Sequence, residues 1–185
     1  MRAMTNLVSS IQAISPTKPP RQPIASHSSA SSLREQALSH LFIWQLIAAR
    51  WRQGRQDIEV LKGEVDRGGY DIVLEAGHVI RHIQLKSSFR GSKVSEVPVN
   101  TRLLDKPSGC VIWLDVNQET LELECYRWFG NPPGSRLPDL GSKISHHSRG
   151  DCFGRKAERP MHRDLKKSSF TCIDTADELL VRLFG

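Results

Sequence analysis

Asp71 is followed, after twelve intervening residues, by Gln84-Leu85-Lys86-Ser87-Ser88. A carboxylate and an amide carbonyl are hard oxygen ligands of the kind that hold Mg²⁺ or Mn²⁺ with water in the remaining positions, and the Leu85 carbonyl offers a further oxygen. A metal held there would acidify a bound water and neutralise charge growing on a phosphate oxygen, while Lys86 steadied the attacking hydroxide. This is equipment for hydrolysing a phosphodiester. Glu64 and Asp66, in the charged approach to Asp71, are rival ligands, but only Asp71 is expected to meet Gln84 directly.

The meeting depends on a β-hairpin. Runs rich in Val, Ile and Leu flank Gly77-His78, and glycine at the first central position suits a type II′ two-residue loop. That loop sets Ala76 opposite Val79, Val73 opposite His82 and Asp71 opposite Gln84, and directly opposed residues share a face of the sheet. Lys86 returns to the same face because side chains alternate along a strand. Its opposite number, Gly69, has no side chain to block it.

Other elements frame this hairpin. Ser32 and Glu35 form a capping box at the start of a helix running to about Arg52. Leu38, Leu41, Phe42, Gln45 and Ala49 make one apolar stripe, which Trp44, Ile47, Ala48 and Trp51 widen, so both tryptophans are expected in the core. A short strand follows at 57–61. After the hairpin come a polar loop at 87–99, a short helix at 101–106 capped by Asn100, and a nearly all-apolar central strand from Cys110 to Val116. A half-buried edge strand then alternates Leu121, Leu123 and Cys125 with Glu122, Glu124 and Tyr126. Residues 141–167 read as loop, and a last amphipathic helix begins after Thr175.

Asp71-x12-Gln84-Leu85-Lys86 resembles the motif of the PD-(D/E)xK nuclease superfamily, particularly its restriction-endonuclease-like and Holliday-junction-resolvase-like members. Their hairpin carries an Asp, then a Glu or less often a Gln, an apolar residue and a Lys. Tyr70 stands where the motif's name has proline, and Gln84 stands where Glu is commoner. The neutral amide removes one negative charge, so a second carboxylate is wanted. Glu35 lies on the preceding helix, where resolvase-like members place a metal-binding Glu.

The resemblance spans residues 33 to 115. It implies an α/β fold, a mixed central sheet flanked by helices with an αβββαβ core, and a metal-dependent endonuclease acting on DNA. Lys86, Asp71, Gln84 and Glu35 would be catalytic, and Asp71, Gln84, Leu85 and Glu35 would hold the metal. A second reading is a nuclease-derived module that binds nucleic acid or a protein partner without cutting, with Gln84 the mark of a degraded site.

Charge agrees with a polyanionic partner. The 185 residues carry a formal +6. Residues 1–34 hold four Lys/Arg and no acid, 35–148 hold fourteen of each sign, and 149–167 hold seven basic and three acidic. A surplus at the edges favours phosphate contact without sequence information. Arg67, Arg90, Lys93, Arg155, Lys156, Arg159 and Arg163 are the candidate contacts.

Composition sets the organisation. Residues 1–32, rich in Ser and Pro, read as a disordered tail. Residues 33–185 read as a single domain, with a core over about 33–128 and a basic extension over 129–185. No apolar run approaches the ~20 residues of a membrane span. Cys110, Cys125, Cys152 and Cys172 lie far apart with no C-x-x-C pair, which suggests reduced thiols and a cytoplasmic setting. His146, His147, Cys152, His162 and Cys172 match no common zinc spacing. Cutting both strands of a duplex would favour a homodimer.

Overall fold

The computed structural model describes residues 31–63, 67–150 and 152–185. The expected tail up to residue 30, and the rival ligands Glu64 and Asp66, lie outside these. Among the described residues, the chain from Ser32 to Gly185 forms one unit.

Helix α1 spans Ser31–Arg52. It begins before Ser32, so that serine lies in the first turn rather than at the cap. Its inner face buries Leu38, Phe42, Leu46 and Ala49, at the spacing of four, four and three that one side of a helix requires. Full burial of each of the larger three is worth about 1.5–3 kcal/mol. The widened stripe is narrower than expected, because Trp44 and Trp51 are 63% and 61% exposed.

Strands β1 (Ile58–Leu61), β2 (Ile72–Ala76) and β3 (Val79–Phe89) follow, then β4 (Glu96–Asn100) and a 3₁₀ turn at Thr101–Asp105. β5 (Gly109–Val116), β6 (Leu123–Gly130), β7 (Ile144–His146), β8 (Glu158–Lys166) and β9 (Thr171–Ile173) come next, and helix α2 (Ala176–Phe184) ends the chain. A six-stranded mixed sheet has the order β1-β2-β3-β5-β6-β9. Within it β3 and β5 run parallel, and the other neighbours pair antiparallel. The architecture is α/β, with a mixed central sheet and two flanking helices.

The hairpin forms in the expected register, with Ala76 opposite Val79 and Val73 opposite His82. Gly77 takes φ +60°, a left-handed conformation that a side chain would strain. β5 is buried along its whole length, as a strand covered on both faces must be. One of its faces, with Ile112 and Leu114, packs with α1 and α2. The other, with Val111 and Trp113, packs with Val97, Val99, Leu165 and Phe170, which lie on or beside a second sheet of order β4-β8-β7.

That second sheet corrects two expectations. Residues 87–99 are not wholly loop, because β3 continues to Phe89 alongside β5, where the Trp113 indole donates to Ser88 Oγ at 2.8 Å. Residues 141–167 supply β7 and β8, which gain order by laying Leu165 against Val97 and the sheet beneath. The strand expected from Leu121 begins instead at Leu123. Asn117 Oδ1 accepts from the backbone of Glu119 and Thr120, and Leu121 turns at φ +61°. β6 is also no edge, since β9 pairs outside it, and Tyr126 is buried there with its hydroxyl donating to Gln45.

Cys125 and Cys172 are joined by a disulfide between β6 and β9. Reduced thiols are therefore corrected for that pair, and the cysteine ground for a cytoplasmic setting goes with it. Cys110 is free and buried, and Cys152 is free and exposed. Among the described residues no helix is long and apolar enough to cross a membrane.

Candidate functional site

The β2–β3 ladder ends at Ile72 and Ile83. Just beyond it, the Asp71 backbone N–H donates to Ile83 O at 2.9 Å and Asp71 Oδ2 accepts from the Leu85 N–H at 2.7 Å. The carboxylate thus replaces a strand carbonyl at the point where β3 leaves β2. Its geometry is that of a backbone clamp.

A cleft of about 550 Å³ opens beside this clamp, lined by Glu35 and Ser39 of α1, Lys62, Asp71, and Leu85 and Lys86 of β3. The expected residues Asp71, Lys86, Leu85 and Glu35 therefore do share one opening. Gln84 does not line it. That side chain is buried, and its Oε1 accepts from the Asn100 N–H at 3.1 Å, fixing the end of β4 to β3. The amide oxygen is committed to holding the second sheet. Lys62 was missed, although its place just after β1 could have found it.

The donor set overturns the metal expectation. Among the described residues, the sole group of three His, Cys, Asp or Glu side chains with ligand atoms within 4.8 Å of one another is Cys125, Cys172 and Asp174. Two of those three are locked in the disulfide and offer no thiolate. Asp71 and Glu35 belong to no such group, and Gln84 is turned to Asn100. The Mg²⁺ or Mn²⁺ site expected at Asp71, Gln84, Leu85 and Glu35 is corrected accordingly, and with it the metal-dependent endonuclease, its hydrolytic mechanism and the catalytic assignments to Lys86, Asp71, Gln84 and Glu35. The zinc reading of Cys172 with the histidines fails for the same reason, since that sulfur is bonded to Cys125.

The basic residues fall into two groups. Arg90, Lys93 and Arg67 are exposed near the ends of β3 and the approach to β2. Arg90 is ion-paired with Glu124 at 2.8 Å, and hydrogen bonds from Arg90 and then Asn117 hold the Glu124 carboxyl below its ordinary range. The Arg67 carbonyl accepts from Arg102 at 3.1 Å. The second group lies on β7, β8 and the turn joining them, where Arg149, Arg155 and Lys156 are exposed. Arg159 and Arg163 are half-buried, the first against His162 Nε2 at 2.9 Å and the second donating to Pro160 O at 2.7 Å.

Three buried charged groups were not anticipated as such, the first of them Arg50, which is paired with Asp57 at 3.0 Å. Arg81, opposite Leu74 and so on the inner face, donates to Leu183 O at 2.6 Å, Arg182 O at 2.8 Å and Asn131 O at 3.0 Å. It ties the last turn of α2 to the hairpin, and desolvation lowers its pKa. Asp115 is buried between Arg127 at 2.7 Å and Lys167 at 3.1 Å. Alternation could have placed Arg81 inward, and the burial of β5 on both faces could have placed Asp115 inward. Comparison with known proteins finds no family model, curated protein or solved structure that matches this chain.

Proposed function

We propose that this chain is a nucleic-acid-binding module built on a nuclease-like scaffold, one that holds DNA by its phosphates and does not cut it. The observation that carries this reading is the β7–β8 ribbon. Its strands pair from Ile144 with Arg163 to His146 with Glu158, and the turn at residues 147–157 holds Arg149, Arg155 and Lys156 against one acid, Asp151. Two-stranded ribbons are among the elements that fit a DNA groove. Phosphate contact by arginine and lysine supplies affinity without sequence information.

Support for kinship with the PD-(D/E)xK nucleases comes from element order: helix, three strands of the main sheet, the inserted β4 of the second sheet, a 3₁₀ turn where that core has a helix, and a strand parallel to β3. On this reading Asp71 and Gln84 persist because they clamp β3 to its neighbours. Lys86 and Lys62 line the cleft as phosphate-facing cations, and Arg67 and Lys93 extend the basic surface. Direct titration tests it. Labelled duplex DNA, single-stranded DNA and RNA should each be titrated with the full chain in EDTA and again in Mg²⁺. Binding in the range of about 1–100 µM at physiological salt, unchanged by EDTA, with every strand left intact, is expected. No binding, or binding that needs the divalent ion, overturns it.

A further inference from the structure

The cysteine pair joining β6 to β9 belongs to neither apolar cluster and has no part in nucleic-acid binding. Cys125 is buried on β6, whereas Cys172 is exposed on β9, a three-residue strand at the edge of the sheet. Two residues further on, Asp174 brings a carboxylate beside them. Its Oδ1 is 3.9 Å from Cys172 Sγ, and a carboxylate oxygen and both sulfurs lie within 4.8 Å of one another. Asp174 is exposed, so the cluster opens to solvent on that side. A disulfide draws nothing from a neighbouring carboxylate, whereas a cation held by two thiolates would take it as a third ligand.

The backbone holds these groups together without the sulfur–sulfur bond. Tyr126 with Ile173, Arg127 with Cys172 and Trp128 with Thr171 set β9 on β6, and α2 follows at once, burying Leu179, Leu180 and Leu183. That register makes Cys125 the diagonal neighbour of Cys172, with their Cα atoms 6.6 Å apart, near the upper end of the about 4.4–6.8 Å that a disulfide spans. Two sulfurs at about 2.3 Å from one tetrahedral centre stand about 3.8 Å apart, and a carboxylate oxygen on that centre lies about 3.6 Å from each. Rotation of the exposed Cys172 side chain reaches the first spacing, and Asp174 is already close to the second. Two thiolates and a carboxylate carry three negative charges, and sulfur ligands select Zn²⁺ over oxygen-seeking Mg²⁺. Arg127, opposite Cys172, is already engaged with Asp115 at 2.7 Å.

We infer that Cys125, Cys172 and Asp174, once the disulfide is reduced, form a three-ligand site for a thiophilic divalent cation of the Zn²⁺ class, with water in the fourth position. The inference stands apart from nucleic-acid binding and from the cleft at Asp71. A dithiol attacks the exposed Cys172 sulfur and supplies two electrons and two protons. The sulfur–sulfur bond breaks, the dithiol closes to its own disulfide, and both protein sulfurs become thiols. The cation then displaces both thiol protons to solvent and gains two bonds to sulfur and one to the Asp174 carboxylate. The junction of β6 and β9 is thus closed covalently under oxidising conditions and by a cation under reducing ones.

Anaerobic titration of the full chain with Co²⁺, before and after treatment with a dithiol and its removal, is the test. The reduced chain should bind one Co²⁺, with thiolate-to-cobalt charge-transfer absorption and the visible bands of tetrahedral coordination, and Zn²⁺ should bleach both. The oxidised chain should show neither. Cys172→Ser should abolish the tetrahedral spectrum, and Asp174→Asn should keep the charge transfer but weaken binding at least about tenfold, since loss of even an outer partner costs that much. Both positions are exposed, so circular dichroism should be unchanged in each. Cys152→Ser, which removes the other exposed thiol, should bind as wild type does. A native disulfide that resists the dithiol overturns the inference, as does a reduced chain that leaves Co²⁺ unbound. So does thiolate absorption that survives Cys172→Ser or disappears with Cys152→Ser, or an affinity indifferent to Asp174→Asn.

Discussion

At the scale of residues, side chains with a nuclease's spacing are occupied in holding strands together. Asp71 Oδ2 accepts from the Leu85 N–H, and Gln84 Oε1 accepts from the Asn100 N–H. Each satisfies a backbone donor that has no strand partner. Asp71→Ala strands the Leu85 N–H and should cost about 1–3 kcal/mol in denaturant unfolding. Asp71→Asn keeps an acceptor oxygen and should cost less than half as much. It should also bind DNA as tightly as wild type or slightly more so, because a negative charge leaves the cleft.

The buried thiol and phenol set the alkaline limit. Burial pushes Cys110 from 9.0 up to about 12 and Tyr126 from 10.0 up to about 12. Both groups keep their protons in the folded chain at pH values where the unfolded chain has lost them. Their contribution is complete below about pH 9 and fades as pH rises toward 12, so unfolding free energy should fall across that window. Cys110→Ala should flatten the lower part of the fall. At pH 8 a maleimide should modify Cys152, which is exposed, and leave Cys110 unlabelled.

At the scale of elements, the hairpin is the sharpest test of local chemistry. Gly77 has open space around its α-carbon and φ +60°, so substitution there is opposed by backbone conformation alone. Gly77→Val should lower stability by about 1–2 kcal/mol, the penalty of left-handed geometry for a branched residue. Equal stability in the two proteins would mean that the loop is not held in this turn.

The same hairpin shows what the sequence makes legible. Its register, the burial of β5, the Asn100 and Thr175 caps and both helices follow from period, turn residues and capping, which are local signals. The second sheet does not, because β4 and β8 lie some sixty residues apart, β8 is not regularly alternating, and the short alternation of Val97 and Val99 in β4 is interrupted by Pro98. The disulfide is equally non-local, joining residues separated by 47 positions. Asp71 and Lys86 do line one cleft, but the direction of the Gln84 amide could not be read. It is set by Asn100, whose position depends on β4 being paired with β8.

At the scale of the whole molecule, α1 and α2 cover one side of the six-stranded sheet and the β4-β8-β7 sheet covers the other. The helix layer carries the exposed tryptophans, and the second sheet carries the basic ribbon. The most direct measurement of the central claim is the salt dependence of duplex-DNA affinity, read by fluorescence anisotropy in EDTA from 50 to 200 mM salt, for wild type and for Arg149→Ala/Arg155→Ala/Lys156→Ala. Each lost phosphate contact should lower the slope of log K against log salt by about 0.9, so a reduction of roughly two to three is expected for three ribbon cations with folding unchanged. An identical slope and affinity in the two proteins would contradict the ribbon as the nucleic-acid-binding surface.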